Sequence, residues 1–97
     1  MARGPNRPPR RLSLGRGYVV PVFLVPPATL AEMLDEEDWA PEDRSPGTWD
    51  VDGWAIYLRS DLPVAELWNT YWHEVAHAVI DIARIDARTA RRAGAPR

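Results

Sequence analysis

Ninety-seven residues, 45% of them apolar, with a net charge of -2 and no cysteine, set narrow limits. A chain this short supports one small core, and without thiols it has neither disulfides nor thiolate metal sites, so a transition-metal centre must draw on His, Asp or Glu. No run approaches the ~20 apolar residues of a membrane span, so a protein working in the cytoplasm and away from membranes is expected.

The charge is unevenly spread. Residues 1–16 carry five Arg and no acid, residues 17–83 carry thirteen acids against Arg44 and Arg59, and residues 84–97 carry five Arg against Asp86. All twelve basic residues are Arg, which reads as coding bias more than as selection for phosphate contact. Both ends are rich in Arg, Pro or Gly and poor in aromatics, so they are expected to be disordered basic tails, residues 1–16 and 89–97, rather than a nucleic-acid surface. The domain is expected to span residues 17–88.

Tyr18 to Val25 is β-branched and aromatic and predicts a strand, with Pro21 placing it at an edge or a bulge. The same prolines break the resemblance of this stretch to a secretory leader. Thr29 followed by Glu32 has the spacing of a capping box, which predicts a short helix over residues 30–38. "WAPEDRSPGT" is loop-like. "WDVDGWAIYLRS" predicts extended structure, with Asp52-Gly53 as a turn signal and Trp54, Ile56 and Leu58 alternating along one side.

A long helix follows, with Ser60 or Asp61 as cap and Pro63 in its first turn. Val64, Trp68, Tyr71, Val75, Val79 and Ile82 define a core face, and Trp72, Ala76, Ile80 and Ala83 widen it. A helix apolar around most of its circumference is expected to be the central, many-sided element of the domain.

Both histidines of the chain lie in this helix, in "YWHEVAHAVID", residues 71–81. At about 100° per residue His73 and His77 differ by about 40° and one turn, so both imidazoles can meet one ion. Glu74 lies about 60° beyond His77, beside such an ion without being aimed at it. This is the residue set that zinc-assisted hydrolysis requires: two imidazoles for Zn²⁺ and a carboxylate to take a proton from water. A metal also explains a carboxylate within an otherwise uncharged, apolar stretch, since a bare buried one costs several kcal/mol.

"TYWHEVAHAV" resembles the extended HExxH signature of the zincin metallopeptidases, and "HEVAHAVID" is similar to the matching helix of thermolysin-type enzymes. The wider order, a Gly-flanked loop, an I-x-L strand and then the motif, resembles short phage-encoded metallopeptidases and the ImmA/IrrE-type domain. The resemblance implies a minimal zincin-like α+β domain, with a small, mostly antiparallel sheet packed on the long central helix and one further short helix. It implies zinc on His73 and His77, Glu74 as general base, a peptide or protein substrate, and "WAIYLRS" as the strand beside the cleft.

Where zincins supply a third ligand this chain departs from the pattern: no Glu follows Glu74, and Ile80 and Ala83 stand where metzincins place Gly and His. Asp81 is expected to hydrogen-bond an imidazole, Asp86 is a weaker candidate ligand, and a partner chain or water could complete the site. The departure keeps a second reading open, a non-catalytic protein of the same fold acting in structure or regulation.

Overall fold

The computed structural model describes residues 7–94. They form an α+β domain of four strands and two α-helices: β1 (Arg11–Ser13), β2 (Val19–Val25), α1 (Pro27–Met33), β3 (Gly47–Asp50), β4 (Ala55–Arg59) and α2 (Val64–Gly94), with a single 3₁₀ turn at Pro41–Asp43. The sheet is mixed, in the order β1-β2-β4-β3. Its two outer pairings are antiparallel and its central one, β2 with β4, is parallel.

Strand β2 is therefore an inner strand, although it contains Pro21. Amides alternate in direction along a strand, and Val22 donates to the Arg10 carbonyl on the β1 side at 2.8 Å, so position 21 faces β4. The β2–β4 ladder begins only at Val22, opposite Ile56, and the missing N–H of Pro21 falls just outside it. The edge position expected from Pro21 is corrected on this geometry.

Strand β1 lies inside the stretch expected to be a tail. Leu12 pairs with Val20, and the strands are joined through Gly15, Arg16 and Gly17, all at positive φ, a path glycine permits at little cost. Arg16 then reaches Asp86 of α2 at 2.6 Å. Residues 11–16 are thus part of the sheet and its turn, and α2 continues to Gly94 through the second expected tail. The remaining parts of both tails, residues 1–6 and 95–97, lie outside the described residues.

Helix α1 starts at Pro27 with no side-chain cap. Thr29 is already its third residue, so the capping box does not form. The helix also ends early, at Met33, because Asp35 takes a left-handed φ of 58° and Glu36 N–H returns to the Ala31 carbonyl at 2.7 Å, the closure of a Schellman motif. Glu36 is buried and accepts from the Ser45 amide at 2.8 Å and the Ser45 hydroxyl at 2.7 Å, which fastens the acidic loop ahead of β3.

The hairpin turn between β3 and β4 is longer than Asp52-Gly53 suggests. Val51 to Trp54 form it, with Asp50 accepting from the Asp52 and Gly53 amides and Trp54 at φ 58°. Asp61 is held by both guanidinium nitrogens of Arg59, each at 2.9 Å, and not by the start of α2.

One face of the sheet packs on α2 and forms the core: Val20, Val22, Ile56 and Leu58 from the strands, Leu67, Tyr71, Val75, Ala78 and Ile82 from the helix. The opposite face carries Phe23 stacked on Tyr57, with centroids 5.5 Å apart. Helix α2 is thus not central. It is covered on one side only, and Val64, Trp72, Val79 and Ile80 are exposed. The radius of gyration, 16.0 Å, exceeds the ~13 Å of a compact chain of this length, as a thin two-layer body with a projecting helix requires. No helix among the described residues is long and apolar enough to cross a membrane.

Candidate metal centre

Helix periodicity brings His73 and His77 together as the sequence predicts. Their Nε2 atoms are 3.1 Å apart, on the exposed side of α2, with ring planes at 77°. Two nitrogens bound tetrahedrally to one zinc at 2.0–2.1 Å would stand about 3.3 Å apart. The observed separation is within a few tenths of an ångström of that spacing. It equally permits an N–H···N bond between the rings, so the pair is closed on itself or on an ion.

Glu74 points the other way. It is 8% exposed and faces β3. Burial pushes its carboxyl above the usual carboxylate range, while the His73 and His77 imidazoles and the Trp49 backbone amide pull it back.

Beside His73 and Glu74 opens a cleft of about 390 Å³ between α2 and the chain entering β3, bounded by Gly47, Asn69 and Thr70 among others. Gly47 is required there, because a Cβ at that position would meet Thr70 Cγ2 at 2.7 Å and the Tyr57 carbonyl at 2.9 Å. The edge strand at the site is therefore β3. Strand β4, the "WAIYLRS" segment expected to border the cleft, lies one position further in.

Neither aspartate reaches the histidines. Asp81 accepts from Trp49 Nε1 at 2.8 Å, so its bond is to the sheet and not to an imidazole. Asp86 accepts from Arg16 and from the Tyr18 hydroxyl and sits about two and a half turns beyond His77. The helix does not end early to bring it closer. Among the described residues no three His, Cys, Asp or Glu side chains are grouped to hold one ion. The residues present fit a two-imidazole site that takes its remaining ligands from water or another molecule.

Trp49 was missed by sequence reasoning as a structural element of the site. Its indole is gripped by Asp81 and stacked edge-on against Trp54 at 5.6 Å, so it links β3 to α2 one strand face away from Glu74. The signal lay in the pairing of a flexible Gly47 with an aromatic two residues later, which only the register of β3 makes legible. No family model, curated protein or solved structure matches this chain.

Proposed function

We propose that this chain is a minimal zincin-like, zinc-dependent peptidase, with His73 and His77 holding the ion and Glu74 as general base. The observation that carries the reading is the 3.1 Å separation of the two Nε2 atoms, with His73 and Glu74 both lining one cleft. Zn²⁺ would supply Lewis-acid activation of water and carbonyl. Glu74, which lines the same cleft as His73, would serve there as the proton acceptor and donor for hydrolysis. Gly47 and Trp49 lie on the side of β3 away from β4, because Arg59 donates to the Pro46 carbonyl and the alternation of the ladder then turns positions 47 and 49 outward. The Trp49 amide is already turned to Glu74, so an extended peptide would pair at Gly47, beside the cleft that His73 lines.

The burial of Glu74 against β3 favours a second reading, in which its carboxylate serves the packing of α2 on Trp49 and the protein binds without hydrolysing. Digestion of a peptide library by zinc-loaded wild type and by Glu74→Gln separates the two. The catalytic reading expects cleavage by wild type, a loss of ~10²-fold or more in the variant and unchanged zinc. Wild type that cleaves no peptide while zinc stays bound would leave the binding reading.

A further inference from the structure

We infer that the outward face of α2 is the contact surface of an antiparallel dimer of this chain. The exposed residues Ala65, Asn69, Trp72, Ala76, Val79 and Ala83 recur along α2 at alternating steps of four and three, the spacing of a coiled-coil seam, and the series runs on through the half-buried Asp86 to Ala90. Trp72 is 58% exposed and Val79 44%, in a chain whose remaining apolar mass forms only one layer against the sheet. Residues 87–92 of α2 are all exposed among the described residues, and helices in water owe most of their stability to packing of an apolar face.

The seam is complementary to itself in one register. When two copies run antiparallel with their two-fold axis between positions 77 and 78, Trp72 of each meets Ala83 of the other and Ala76 meets Val79. The same register sets Asn69 against Asp86 and Ala65 against Ala90. Large faces small at the two central levels, and Asn69 adds a donor beside the Asp86 carboxylate that Arg16 and Tyr18 already hold. On the flank, Glu66 of each copy falls opposite Arg91 of the other, giving two opposite-charge pairs by symmetry.

An independent feature lies where this register needs it. A largely apolar pocket of about 180 Å³ opens beside Ala83, walled by Val79 and Ile82 of α2 and by Leu14 and Tyr18 at the β1–β2 turn, with the Arg16–Asp86 ion pair at its side. It is the position the second copy's Trp72 would occupy, so each chain carries both an exposed indole and the apolar hollow for it. The seam is about 38 Å long at 1.5 Å per residue, which buries on the order of 600 Å² per copy, the low end of specific interfaces. Across it His73 faces Arg84 of the second copy, so pairing adds no metal ligand and the inference stands apart from the zinc site.

The test is sedimentation of the full chain between 1 and 200 μM, with chelator present, beside disulfide trapping. The native chain has no cysteine, so introduced thiols are unambiguous. Wild type should sediment as a dimer in the micromolar range, and Ala83→Glu should be monomeric with an unchanged circular dichroism spectrum. Ala65→Cys/Ala90→Cys should oxidise to a covalent dimer, whereas Ala65→Cys alone should not, because its two thiols are about 38 Å apart. A monomer at 200 μM overturns the inference. So does a dimer that survives Ala83→Glu, or one that Ala65→Cys alone traps, which would mean parallel pairing.

Discussion

Both sides of α2 carry apolar side chains, yet only one is buried. The side against the sheet holds Leu67, Tyr71, Val75, Ala78 and Ile82 together with Glu74, and the outward side holds Trp72, Ala76, Val79 and Ile80 together with both histidines. The buried face is the one with the carboxylate. The sheet takes the more continuous apolar stripe, and specific partners secure it: Asp81 accepts from the Trp49 indole, Glu74 lies by the Trp49 amide, and Gly47 lets β3 close on Thr70.

The sharpest way to break this comparison is to truncate one large aromatic on each face. Tyr71 is 2% exposed, and Tyr71→Ala should cost about 3–5 kcal/mol in urea unfolding, as large core truncations do. Trp72→Ala, next to it in sequence, should stay within about 0.5 kcal/mol at protein concentrations that keep the chain monomeric. Equal losses at the two positions would place Trp72 in the core. The next effect is Trp49→Phe, which keeps an aromatic ring but removes the indole donor. It leaves the half-buried Asp81 carboxylate without its bond, at a cost of about 1–3 kcal/mol, and Trp49→Phe/Asp81→Asn should recover part of it in a double-mutant cycle.

Deleting residues 1–14 extends the test to the sheet. It removes β1 and the Leu12 and Leu14 contacts with the core, so the melting temperature should fall, whereas deleting 95–97 should leave it unchanged. The smallest effect is electrostatic. Arg59 holds the Asp61 carboxyl below the usual carboxylate range, so the pair stabilises above the ordinary Asp pKa of ~3.9 and loses that contribution as pH falls through the depressed folded value. The pair is partly exposed, so Asp61→Asn should cost no more than about 1 kcal/mol at pH 7, and the difference from wild type should shrink as pH falls below the ordinary Asp range.

Much of this organisation was legible in the sequence. The two strands around Val22 and Ile56, the long helix and the convergence of His73 and His77 follow from local periodicity, which the fold obeys. The rest depends on contacts between distant residues. Strand β1 reads as a tail because Arg11–Ser13 has little β character of its own, and it becomes a strand only through pairing with Val19 to Pro21. The core face of α2 was largely legible, since Tyr71, Val75 and Ile82 are buried and Trp68 packs on them, but Val64 and Val79 lie at its margins and are exposed. Asp81 looked like a partner for an imidazole because Trp49, 32 residues earlier, had no assigned place.

The account rests on a metal between His73 and His77, and zinc content measures it most directly. Protein purified without chelator, or reloaded and desalted, should hold close to one zinc per chain by elemental analysis. His73→Ala/His77→Ala should hold none and should no longer melt earlier when chelator is added, since only a metal bound to the folded state stabilises it by mass action. Equal zinc in wild type and the double variant, or a wild type that holds none, would contradict the site.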